Sequence, residues 1–213
     1  MIQILVLVAA LMLSLPNLSS AGGSGGQANP GVLPPNSSAF GKTYGEWSAE
    51  FWKWLFSLPV DHNPVFDTAN CSAGQSGHVW FLGGNVECST IEDNGTTEAQ
   101  LRDCANSAAD FIRDPAAELD GVSLHNLLDY RRDSPLFTFG PLPDNNLLES
   151  FGVPHTVGHT SPSVADGVYL LLAPLSAGSH TLHFSGVTDL SSIGQPKFIQ
   201  DITYHLTVRP NRP

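Results

Sequence analysis

The chain has 213 residues, 41% of them hydrophobic and 14% charged, with nine Lys+Arg against twenty Asp+Glu and a formal net charge of −11. That length suits one domain, and a chain of this size buries about 70% of its extended surface, enough for a real core. The acidic balance, with Arg131-Arg132 as the only local basic pair, argues against a nucleic-acid groove and against docking on anionic lipid.

The chain opens on an almost unbroken apolar run, Ile2 to Leu15, of about 14 residues, whereas a bilayer span needs about 20. Pro16 ends the run, and Ser19-Ser20-Ala21 supplies small residues for a cleavage site before Gly22. Residues 1–21 are therefore expected to be a secretory signal peptide, although no Lys or Arg precedes Lys42, and the protein is expected to be secreted or periplasmic. No later apolar run is long enough to span, so no transmembrane segment is expected after cleavage. Residues 22–39 (GGSGGQANPGVLPPNSSA) lack periodicity and predict a flexible leader. Residues 40–209 are expected as a single domain and 210–213 as a tail.

The next stretch, YGEWSAEFWKWLFSLP from Tyr44 to Pro59, holds three of the four tryptophans. Trp47, Phe51, Trp54 and Leu58 recur at the spacing of one helical face and predict a helix with that face inward. Trp52, Leu55 and Phe56 widen the apolar arc to about half the circumference at about 100° per residue. Glu46, Glu50, Lys53 and Ser57 form the polar stripe, and Pro59 stops the helix. Trp52 and Phe56, on the flank of the arc, are the candidates for partial exposure and for contact with a ligand or partner.

A short apolar run, His78 to Gly83, reads as a strand. A second helix is signalled from Thr97 to Ile112, with a Thr97/Gln100 capping box, a face of Leu101, Cys104, Ala108 and Phe111, and a Glu98/Arg102 pair. Ala117–Leu119 and Val122–Leu124 flank Asp120-Gly121, the signature of a tight hairpin. Pro135–Phe139 reads as a strand, and Gly167–Ala173, apolar on both faces, as a central one. Ser179–Phe184 and the alternating Ile202–Val208 complete the series. Together these elements predict a mainly β domain, an antiparallel β-sandwich of jelly-roll or Ig-like type with two helices packed against it.

Histidine is the most chemical residue type here. His183 and His205 lie on strands that, as neighbours, would bring both to one face, where with Asp201 or Asp166 they could hold zinc or copper. The bland reading is a pair of solvated strand histidines. His155 and His159 are spaced as on a helix, but the surrounding Pro154, Gly158 and Pro162 predict a loop. Paired carboxylates for glycoside hydrolysis would have to come from Asp61, Asp67, Glu87, Glu92 and Asp93, in an unknown arrangement. Ser, His and Asp are abundant, but no Gly-x-Ser-x-Gly elbow is present. No catalytic residue and no cofactor are assigned. Three cysteines in an exported chain predict disulfide pairing with one thiol left over, since no CxxC spacing points to zinc.

The blocks YGEWSAEFWKW, NPVFDTANCSAGQSGHVWFLGG, SPLFTFGPLP, SPSVADGVYLLLAPLSAGSHTLHF and DITYHLTV run in order over almost the whole mature chain. In these the chain resembles a family of uncharacterised secreted bacterial proteins with a Trp-rich helix, a Trp-Phe-Leu strand, a Pro-Leu-Ser-x-Gly-x-His-Thr hairpin and a Thr-Tyr-His-Leu-Thr strand. The resemblance implies an exported sandwich-like domain and brings no established activity or cofactor. Members carry a further stretch, with a cysteine, where Gly83-Gly84 here runs directly into Asn85-Val86-Glu87-Cys88. That difference implies a Cys88–Cys104 disulfide with Cys71 unpaired; Cys71–Cys88 is the alternative. Either link would close a loop of about 17 residues, worth about 3 kcal/mol in the chain-entropy model.

The functional expectation is a secreted structural or binding protein acting on an extracellular ligand or protein. An extracellular hydrolase or metal-dependent enzyme is the alternative.

Overall fold

The structure is a computed structural model, described here for residues 5–6, 29–63, 65, 80–194 and 197–209. The elements in chain order are β1 (Leu5–Val6), β2 (Ser38–Ala39), β3 (Lys42–Thr43), α1 (Tyr44–Phe56), β4 (Trp80–Ser89), α2 (Glu98–Ala109), β5 (Ile112–Leu119), β6 (Val122–Leu124), β7 (Arg131–Asp133), β8 (Phe137–Phe139), α3 (Leu147–Ser150), β9 (Ser161–Leu171), β10 (Gly178–Asp189) and β11 (Lys197–Val208). Single turns of 3-10 helix lie at Val60–His62, Leu127–Tyr130 and Ser191–Ile193.

Two antiparallel sheets form the predicted sandwich. One runs β1-β4-β9-β7, with β8 also paired to β9; the other runs β11-β10-β5-β6. β9 is the central strand that Gly167–Ala173 predicted, extended back to Ser161 and buried at nearly every position. β5 and β10 meet the first sheet at β4. Asp120 and Gly121 both have positive φ, 52° and 79°, so the predicted β5–β6 hairpin turns as a two-residue loop must to follow strand twist.

Both long helices start on a capping box. The Glu46 N–H donates to Thr43 Oγ1 and the Thr43 N–H to Glu46 Oε2; Thr97 and Gln100 do the same for α2. Helix α1 ends at the Ser57 cap, and Asn63 Nδ2 donates to the Leu55 carbonyl, satisfying one of its last acceptors. The third helix, α3, is a single turn that the sequence reading did not contain; Asn146 caps it.

The phase of α1 differs from the expectation. Its buried line is Tyr44, Ser48, Trp52 and Leu55, flanked by Gly45, Ala49, Phe51 and Phe56, while Trp47 and Trp54 are only half-buried. Trp52 and Phe56, expected at an exposed flank, have no exposed surface at all. Close approach to the sheet sets the phase. A Cβ on Gly45 would lie 2.2 Å from the Asp133 carbonyl oxygen, so the helix seats on its small residues and the rings beside them go to the centre. Phe56 stacks on Phe139 with centroids 4.2 Å apart, and Trp52 lies 5.5 Å from Phe56.

The domain also begins earlier than residue 40. Asn29 Nδ2 donates to the His125 carbonyl (2.8 Å) and accepts from the His125 N–H through Oδ1 (2.7 Å), as a paired strand residue would. Val32 bridges Leu172, and Tyr44 Oη donates to the Leu33 carbonyl while accepting from the Leu171 N–H. Side-chain amides and a tyrosine hydroxyl thus dock a Gly/Pro-rich segment that carries no periodic signal. Of the expected signal peptide only Leu5–Val6 is described, paired with Glu87 and Val86 of β4.

Candidate functional site

Register on the β4–β9 ladder sorts the buried polar groups. Val86, Cys88, Val164 and Asp166 share one face, and Asn85, Glu87, Ser89 and Ser163 the other. The first face meets α2. Cys88 and Cys104 form the disulfide, with Cα atoms 6.2 Å apart, beside Leu101, Ala105 and Val164. Cys71 lies outside the described residues. On the same face the buried Asp166 accepts from Arg131 Nε (2.8 Å) and Nη2 (2.5 Å), and Arg131 Nη1 continues to Asp110 (2.6 Å). This charge pair ties β7 and β9 to the end of α2. Burial pushes the Asp166 carboxyl up against the pull of Arg131.

The second face carries the most unusual chemistry in the described residues. The turn after β4 folds back, held by Thr90 N–H to the Pro162 carbonyl and Asn94 N–H to the Ser89 carbonyl, and returns Glu92 beneath Glu87. Glu87 is fully buried and Glu92 is 6% exposed. Ser163 Oγ donates to Glu87 Oε1, and Ser89 Oγ donates to Glu92 Oε2 at 2.5 Å. Desolvation, then the neighbouring Glu92 carboxyl, drives the Glu87 pKa well above the carboxylate range. Desolvation raises Glu92 to about 7, against hydrogen bonds from Glu87 and Ser89 that stabilise its charge. Burial and mutual repulsion therefore bias both carboxyls toward the protonated form. Glycosidase carboxyls stand about 5–9 Å apart around a sugar; here the two acids lie against each other, almost wholly buried, which leaves little surface for a substrate.

Beside α1, the buried Tyr169 hydroxyl is approached by Ser48 and Trp52, and burial pushes its pKa up. None of these three polar atoms makes a well-aligned hydrogen bond.

On the second sheet, three residues line up as Ser176, His180 and Asp120. His180 Nδ1 lies 2.7 Å from Asp120 Oδ2, and Nε2 lies 3.5 Å from Ser176 Oγ but 2.9 Å from the Ser176 carbonyl oxygen. A carbonyl only accepts, so Nε2 carries a proton, and the carboxylate at Nδ1 favours a second. The bond to Asp120, then that to the Ser176 carbonyl, raises the His180 pKa. A general base needs a free Nε2 lone pair facing the serine hydroxyl. His180 presents a donor there instead, and acts as a clamp between the 172–177 loop and the β5–β6 turn.

The predicted histidine pair is on one face but not face to face. His183 is opposite Thr203 and His205 opposite Thr181, which places the two imidazoles on a diagonal. His183 Nε2 bonds Asp201 Oδ1 at 2.8 Å, while Asp166 belongs to the other sheet. Among the described residues no group of three or more His, Cys, Asp or Glu is arranged to hold a metal. His155 and His159 lie in the loop expected for them. From sequence, Glu87 and Glu92 stand only among five scattered acids. The signal that points to them is their i,i+5 spacing across a β-turn, with Ser89 between them.

Among the described residues no helix is long and apolar enough to cross a membrane. Comparison of the chain with protein-family models, with curated proteins and with solved structures finds no match in any of the three.

Proposed function

We infer that this is an exported structural or binding domain that works through its surface rather than by catalysis. One observation carries the reading: the groups with catalytic potential are consumed internally. The Glu87/Glu92 pair is almost wholly buried, with Ser163 and Ser89 on its carboxyls, and His180 is held as a double donor between Asp120 and a backbone carbonyl. The apolar run at Ile2–Leu15, the small residues before Gly22 and the Cys88–Cys104 disulfide support export, as does the resemblance to secreted bacterial proteins.

The hydrolase reading has one specific foothold, the Ser176–His180–Asp120 series, and that supplies the test. The purified protein is treated with a fluorophosphonate probe, and the labelled peptide is sought by mass spectrometry. No labelling at Ser176 is expected. Labelling at Ser176 that disappears in His180→Ala would establish an activated serine and overturn the binding-domain reading.

A further inference from the structure

β11 is a twelve-residue strand at the end of its sheet, and among the described residues no strand pairs with its outer edge. Other sheet ends are short: β6 and β7 have three residues each and β1 has two. β4, bared if β1 is removed with a signal peptide, carries a register shift between Leu82 and Asn85, a device that blunts an edge. β11 has no such protection. Its pairing with β10 runs unbroken from Lys197 to Val208, it contains no proline, and its single lysine stands at the first position.

The backbone parity of that edge follows from β10. The Thr181 N–H donates to Asp120 Oδ1 and the Thr181 carbonyl accepts from the Asp120 N–H, so Thr181 points its main chain away from β11. His205 is directly opposite Thr181, so its own N–H and C=O face the free edge. By alternation so do those of Ile199, Asp201, Thr203 and Thr207.

We propose that β11 pairs antiparallel with β11 of a second copy, Thr203 facing Thr203 across a twofold axis. This deepens the binding-domain reading, on which it rests, by naming the partner. Centring on Thr203 sets the edge-bonding residues opposite one another. Each Asp201 faces His205 of the second copy, and each Ile199 faces Thr207 of the second copy. A Thr–Thr pair at the centre and a carboxylate–imidazole pair on either side are favourable cross-strand neighbours. Asp201 already accepts from its own His183 and would then lie between two imidazoles. On the inner face the half-buried Ile202 and Tyr204, both packed on the core, would face each other across the axis and extend the apolar layer. The one unfavourable match, Lys197 opposite Arg209, falls at the ends, where Asp189 already pairs with Lys197 at 3.0 Å. The interface is isologous, as a closed dimer requires.

The test is the mass of the purified protein by sedimentation from about 1 to 300 μM, near 0.15 M salt so that the net charge of −11 is screened. A dimer is expected. Thr203→Pro removes an N–H that points off the sheet and leaves the β10 ladder intact, and is expected to be monomeric with unchanged circular dichroism. His205→Asp puts a like charge opposite each Asp201 and is expected to weaken association about tenfold; adding Asp201→Lys makes both symmetry-related pairs attractive and restores it. A monomer throughout the range, a Thr203→Pro variant that still dimerises, or a double variant no tighter than His205→Asp would each overturn the proposal. A monomer leaves the binding-domain reading to the Ser176 labelling experiment, and labelling of Ser176 leaves the mass unaffected, so the two can fail separately.

Discussion

At Glu87 and Glu92 the protein keeps two carboxyls almost wholly buried, and the consequence is a pH dependence of stability with a definite sign. Both folded pKa values are raised, Glu92 to about 7 from 4.5. The folded state therefore holds more protons than the unfolded chain across this window, and stability falls as pH rises from about 4.5 through 7. The midpoint of thermal unfolding should drop over that range. Glu87→Gln, which keeps a neutral donor toward Glu92 and an acceptor for Ser163, should flatten the drop. An unchanged pH profile in the variant would show that Glu87 does not contribute to the drop. Trp52 makes a second prediction at this scale. Its ring is fully buried, so Trp52→Ala should cost about 3–5 kcal/mol in urea unfolding, well beyond Trp54→Ala at a half-buried position.

At the scale of elements, the start of α2 was legible from its capping residues, whereas the Thr43/Glu46 box of α1 and the Asn146 cap of α3, equally short-range, were not read. The Thr97/Gln100 box and the Glu98–Arg102 pair (2.7 Å) are both present as the spacing predicts. Thr97→Ala should cost about 1 kcal/mol by removing the cap, measurable as a shift in the denaturation midpoint. The inward face of α1 was not legible. Periodicity fixes spacing along a helix, but with apolar residues over half the circumference the phase depends on which small residues the sheet can approach. Gly45, Ser48 and Ala49 decide that here, and the bulky Trp47 and Trp54 yield the centre to Trp52 and Phe56. For the same reason Gly45→Ala should destabilise by about 1–3 kcal/mol, since the added Cβ meets backbone.

At the scale of the whole molecule, one covalent link joins α2 to β4 across the first sheet. Cys88→Ala with Cys104→Ala should lower stability by about 3 kcal/mol, the loop-closure value for a sequence separation of 16. In the denatured, non-reduced protein one thiol per chain should titrate, and peptide mapping should place it at Cys71. A Cys71–Cys88 peptide would contradict the pairing. The sequence by itself determined the class of fold: a β-rich chain with two helices, one of them with a legible cap, a tight Asp-Gly hairpin and a central apolar strand, because each rests on residues within a few positions of one another. Only the tertiary structure decided which polar groups meet. The Glu87/Glu92 juxtaposition, the Asn29 dock on His125 and the Asp120–His180 clamp each depend on a turn geometry or a strand register. A shift of one residue in that register would turn the partners to opposite faces.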